Sequence, residues 1–208
     1  MKTLDSMKGS IPVTALLGVL LLLAATDVQS QDYGRDSWQK PDEVVKSLNL
    51  EPGDVIADIG AGRGYFTRLF AVAVHPGGKA MGLEISSSDV EAMKREAERL
   101  GLDTYTAVLV ESDDPGFDPG SVDVVFLCNA YHHLGNRVEY FKKVSGGLKK
   151  DGRVVIVDFY NKQMDVGPPP GHTLAKEVVL AEMKEAGYQV LGEKDFLEYQ
   201  YYLEFGMK

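Results

Sequence analysis

The sequence predicts an α/β fold: a seven-stranded, mostly parallel sheet with helices on both faces and a C-terminal antiparallel strand pair. Three observations lead there. Short, almost wholly apolar segments such as residues 55–59 and 122–127 alternate with polar, helix-forming stretches. Strands apolar on both faces belong to parallel sheets that are covered on both sides. The last two β-like segments, 188–197 and 199–205, lie too close for a helical crossover, so they should pair antiparallel.

The elements follow in order. Pro41 opens a helix over 42–48. Glu51-Pro52-Gly53-Asp54 turns the chain into the first strand, 55–59. A glycine-rich loop comes next, then a helix to about Val74. His75-Pro76-Gly77-Gly78 is a turn before the second strand, 79–83. Ser86, Ser87 and Ser88 offer caps for a helix running to Leu100. Residues 104–110 and 122–127 read as the third and fourth strands. A helix over about 138–148 should end in a turn at Lys149-Lys150-Asp151-Gly152, with the fifth strand at 154–157. Pro168-Pro169-Pro170-Gly171 is a loop, because proline fits neither helix interiors nor inner strands. Residues 174–186 form the last helix, stopped by Gly187.

The chain has 208 residues, which suits one domain with a short appendage. Its formal net charge of -9 repels phosphate backbones, so no nucleic-acid partner is expected. Cys128 is the only cysteine, which excludes an intramolecular disulfide and a thiolate zinc cluster. No metal site is expected either, because His132 and His133 point in different directions and lack an evident third ligand.

Lys2 and Lys8 precede an uncharged run at 11–25, followed by Val28-Gln29-Ser30. The run is shorter than the roughly 20 residues that span a bilayer. Residues 1–30 therefore read as a signal peptide, cleaved near Ser30, or as an N-terminal membrane anchor, with the domain at 31–208. The expected location is periplasmic or secreted, or membrane-anchored; it is cytoplasmic if this segment is not a working signal.

The chemistry concentrates at the carboxyl ends of the strands, where open α/β sheets bind ligands. The loop Gly60-Ala61-Gly62-Arg63-Gly64 follows the first strand. Its Gly-x-Gly-x-Gly spacing differs from the Gly-x-Gly-x-x-Gly of dinucleotide pyrophosphate sites. Asp58 just before it suits a cofactor with an ammonium group and no phosphate. Glu84, about twenty residues past the loop, ends the second strand, where a carboxylate accepts hydrogen bonds from ribose hydroxyls. Asp113 and Asp114 follow the third strand, where a carboxylate could accept from an adenine amino group. Tyr131, His132 and His133 follow the fourth strand, and imidazole titrates near neutrality, as a general base must. Asp158 ends the fifth strand, on the same rim; His172 in the proline loop is a further candidate base.

Residues 55–67 resemble the first motif of class I S-adenosylmethionine (SAM)-dependent methyltransferases. Glu84, the Ser112-Asp113-Asp114 turn, residues 122–134 and residues 148–159 fall where that family keeps its later motifs. The terminal strand pair matches its Rossmann-like fold, and the Tyr131-His132-His133-Leu134 string is similar to a subgroup of bacterial small-molecule enzymes. The resemblance covers roughly residues 40–206 and is specific for the superfamily more than for a substrate. It implies SAM as cofactor. Asp58 and the backbone of Gly60, Ala61, Gly62 and Gly64 would hold the methionine part. Glu84 would hold the ribose, and Asp113 with Ser112 or Asp114 the adenine. Asn129 lies in the segment that faces both cofactor and substrate, and Tyr131, His132 and His133 would be catalytic.

The expected reaction is in-line methyl transfer to a small-molecule or lipid-like acceptor. The alternatives are a non-catalytic SAM-fold binding protein of the envelope and a nicotinamide-dependent oxidoreductase. The N-terminal segment motivates the first, since SAM is made in the cytosol. The glycine spacing argues against the second.

Overall fold

The computed structural model describes residues 34–208. The expected signal or anchor, residues 1–30, lies outside them. Among the described residues, no helix is long and apolar enough to cross a membrane. The chain divides after Lys40 into two units. In the first, residues 34–39 are helical (α1), and Arg35 Nε donates to Gln39 Oε1 one turn on, at 3.2 Å.

The second unit begins with α2 (Pro41–Ser47), β1 (Val55–Ile59), α3 (Thr67–Ala73), β2 (Lys79–Glu84) and α4 (Ser87–Leu100). It continues with β3 (Tyr105–Leu109), β4 (Val122–Cys128), a 3-10 turn (Tyr131–His133) and α5 (Arg137–Gly147). β5 (Leu148–Phe159), α6 (Lys176–Glu185), β6 (Tyr188–Lys194) and β7 (Gln200–Met207) complete it. The strands form one sheet in the order β3-β2-β1-β4-β5-β7-β6. β1 to β5 pair parallel, and β7 runs antiparallel to both β5 and β6. This is the expected architecture. The order reverses between β1 and β4, so a crevice opens at their carboxyl ends.

Alternation along the inner strands builds two apolar layers. In β1, β4 and β5, Ile56, Val124, Phe126, Val155 and Val157 pack into one cluster with Phe66 and Phe70 of the β1–α3 segment. Ala57, Ile59, Val125, Leu127, Val154 and Ile156 pack into the other, with Phe141 of α5 and Met183 of α6. Successive side chains point to opposite faces, and both faces are covered. Each fully buried large side chain contributes roughly 1.5–3 kcal/mol.

Local signals set the element ends. Ser86 caps α4 by accepting from the Asp89 N–H at 3.4 Å, and Gly101 closes it in the left-handed region at φ 64°. One expectation needs correction. Lys149-Lys150-Asp151-Gly152 is not a turn that ends a helix but the first part of β5. A shift in register between Val122 and Val124 absorbs these residues, and Lys149 is held to Asp123 at 2.6 Å. Similarly, β6 ends at Lys194 rather than continuing to Leu197, whose side chain turns into the core.

Candidate active site

The loop after β1 takes a path that requires glycine. Gly60, Gly62 and Gly64 have φ of 69°, 56° and 83°, where a side chain is strained. A Cβ on Gly60 would sit 2.7 Å from Ala130 Cβ, so the loop lies directly against the segment after β4. A Cβ on Gly62 would meet nothing within 4 Å, leaving that side of the loop open.

Two carboxylates flank this cradle. Asp58, only 3% exposed, accepts from the Thr67 hydroxyl at 2.6 Å. Glu84 Oε2 accepts from the Gly62 N–H at 2.9 Å, and its Oε1 accepts from Ile85 and Ser86 N–H at 2.8 and 3.1 Å. The Gly60 and Ala61 N–H groups both donate to the Leu83 carbonyl, at 2.9 and 3.2 Å. Glu84 and Leu83 thus tie the glycine loop to the end of β2.

Ser112, Asp113 and Asp114 are exposed beyond β3. Asp113 pairs with Lys143 of α5 at 3.1 Å, and Asp114 Oδ1 accepts from the Gly116 N–H at 2.9 Å. Their contacts run to α5 and within the turn rather than to Asp58 or Glu84.

Beyond β4 and β5 lies a cavity of about 250 Å³, lined by Asn129, His132, His133, Phe159, Pro168 and His172. Asn129 is held at φ 57°, with its amide oxygen accepting from Gln200 Nε2 at 2.6 Å. His132 Nδ1 lies 2.8 Å from both oxygens of Asp158. The Asp158 side chain is fully buried, and the His132 side chain is 6% exposed. The same carboxylate accepts from the backbone N–H of His132 at 3.3 Å and of Phe159 at 2.8 Å. An Nδ1–H donated to this carboxylate leaves Nε2 as the basic nitrogen. The His133 ring lies against His132, tilted by 45° with centroids 4.0 Å apart, and is exposed.

Tyr131, expected to be catalytic, is placed elsewhere. Its ring is 1% exposed, and its hydroxyl donates to Glu182 Oε2 at 2.8 Å. Burial pushes its phenol up from the ordinary value. In a 3-10 turn successive side chains diverge by about 120°, so Tyr131 faces the core while its neighbour lines the cavity.

Glu182 is a residue the sequence did not disclose. Arg137 grips it through Nε and Nη2 at 2.7 and 2.8 Å, and also donates from Nη1 to the Leu134 carbonyl at 2.9 Å. Glu182 therefore fastens the segment that carries His132 to α6 from both ends. The Arg137 guanidinium holds the Glu182 carboxyl below its ordinary value of 4.5. A carboxyl more acidic in the folded state stabilises the fold above that ordinary value, and the contribution fades as pH falls through the lowered one. Glu182→Gln is expected to cost about 1–3 kcal/mol at neutral pH, since the pair is only 21% exposed. Denaturant melts between about pH 5 and 3 should show the wild type losing this margin. A constant difference between the two proteins over that range would contradict the assignment.

Residues 50–205 match the family described as "Methyltransferase domain". Nocamycin O-methyltransferase from Saccharothrix syringae is 40% identical over 107 residues, 51% of this chain and 38% of that protein. The 27-O-demethylrifamycin SV methyltransferase of Amycolatopsis mediterranei is 25% identical over 178 residues, 85% of this chain and 62% of that one. The chain thus spans less than two thirds of the length of either relative. A SAM-dependent methyltransferase from Aquifex aeolicus shares the fold, with a TM-score of 0.81 at 20% identity, covering 88% of this chain and 98% of that one. SAM carries an ammonium, a ribose diol and no phosphate. A glycine cradle left open at Gly62 and flanked by Asp58 and Glu84 fits that set of groups. The chain therefore belongs to the methyltransferase-domain family, and its sheet has the fold of that SAM-dependent methyltransferase from Aquifex aeolicus.

Proposed function

We propose that the protein transfers a methyl group from SAM to a hydroxyl of a small molecule, with His132 as general base. The observation that carries this reading is the His132–Asp158 pair facing a cavity beside the glycine cradle. When bound, SAM supplies an electrophilic methyl on a positively charged sulfur. Asp58 would hold its amino group, Glu84 its ribose, and the Ser112–Asp114 turn its adenine, with Asn129 between cofactor and acceptor. His132 Nε2 would accept the proton of the attacking hydroxyl, and the cofactor would supply the methyl and leave as S-adenosylhomocysteine. Asp158 keeps the ring oriented and stabilises the imidazolium that results. A base is useful for an acceptor that arrives protonated, as a hydroxyl does. Both relatives above act in O-methylation chemistry by name, in keeping with this choice. The family match leaves the nicotinamide reading without support.

The test is release of S-adenosylhomocysteine by the full chain with matched small molecules that differ only in bearing a hydroxyl, an amine or a thiol. Release is expected with the hydroxyl series. Turnover confined to amines or thiols would overturn the proposal.

A further inference from the structure

Three of the four histidines of this acidic chain, His132, His133 and His172, line one cavity. Among the described residues that form its wall there is no Asp, Glu, Lys or Arg. The carboxylate of Asp158 sits fully buried behind His132 and is occupied by its ring and by two backbone N–H groups. A cationic acceptor would therefore be desolvated here with no free counter-charge, which is costly. An anionic or carbonyl oxygen would instead meet imidazole N–H donors, and charge-assisted hydrogen bonds of that kind are the stronger ones.

The remaining wall is the Phe159 ring and Pro168, with Asn129 beside them. Gly167 packs onto the Phe159 ring so closely that a Cβ there would lie 2.6 Å from it, and it holds φ 96°. The far end of the same loop is tied down by the Gly171 N–H, which donates to Asn161 Oδ1 at 2.9 Å. The loop is thereby seated on β5 with Pro168 and His172 at the cavity. A volume of about 250 Å³ falls just below the usual range for drug-sized ligands, and so suits a molecule of one or two rings.

We infer that the acceptor is a flat hydroxylated ring bearing an acid group beside the hydroxyl, with His133 and His172 as the residues that select the acid group. His132 then takes the proton of the neighbouring hydroxyl. The inference rests on the methyl-transfer reading above and narrows its substrate.

The test is calorimetric titration of the full chain, saturated with S-adenosylhomocysteine, with three probes on one scaffold: 2-hydroxybenzoate, 2-hydroxybenzamide and 2-(aminomethyl)phenol. The acid should bind at least about tenfold more tightly than the amine, the worth of one charge-assisted hydrogen bond. In His133→Gln/His172→Gln, two exposed positions, that preference should fall to within roughly threefold while S-adenosylhomocysteine binding is retained. An acid bound no better than the amine, no probe bound, or a preference that survives the double substitution would overturn the inference and leave the cofactor reading standing. Failure of the wild type to bind S-adenosylhomocysteine would bring down both.

Discussion

His132→Ala is expected to lower the single-turnover rate of methyl transfer about 10²–10⁴-fold, the usual worth of a positioned general base, while SAM binding is retained. The reason is geometric. His132 reaches the cavity from a three-residue turn, and its Nδ1 is fixed by a carboxylate with no exposed surface. Nothing in Asp58 or Glu84 depends on that ring, so affinity and rate should separate. Asp158→Asn should lower the rate as well. An amide cannot stabilise the imidazolium and can present its N–H₂ to Nδ1, favouring the wrong tautomer. His132→Gln preserves much of the ring's volume but not its basicity, so it should resemble alanine in rate and the wild type in stability. An unchanged rate in both His132 variants would remove the base from the mechanism.

Gly64→Ala should be the most destabilising single methyl in the cofactor loop. The new carbon would lie 1.9 Å from Tyr105 Oη and 2.9 Å from Met93 Cγ, and Gly64 holds φ 83°. Tyr105 is 5% exposed and Met93 is fully buried, so neither has room to withdraw. Left-handed strain of about 1–2 kcal/mol adds to overpacking of about 1–3 kcal/mol. The sum corresponds to a fall in Tm of roughly 5–15 °C for a chain of this length. Gly62→Ala is the contrast, because only the strain applies where a Cβ meets nothing within 4 Å. Thermal melts of the two variants without ligand check this. Equal melting temperatures would mean that Tyr105 does not underlie the loop as seen.

The sheet was legible because its inner strands are apolar on both faces and glycines mark the loop between β1 and α3. Burial and backbone sign each leave a local trace in sequence. The partnership of His132 with Asp158 leaves none. It depends on the parallel register of β4 with β5, which sets Cys128 beside Val157 and so brings together residues 26 apart. Asp158 could be read only as the end of a strand. Glu182 lies 51 residues from Tyr131, on a helix that buries Val179 and Met183, and only the placing of α6 beside the turn reveals it. The Tyr131-His132-His133 string reads as one unit, yet a tight turn splits its side chains between core and cavity. Lys149-Lys150-Asp151-Gly152 has turn composition, and a bulge let it extend a strand instead.

The central claim, a SAM site built on the β1 glycine loop, is tested most directly by calorimetric titration of the full chain with SAM and with S-adenosylhomocysteine. The wild type should bind both in the micromolar range. Asp58→Ala and Glu84→Ala should each weaken binding at least about tenfold, the loss of one charge-assisted hydrogen bond. A wild type that takes up neither compound at millimolar concentration would contradict it, and the chain would then keep the methyltransferase fold without the cofactor.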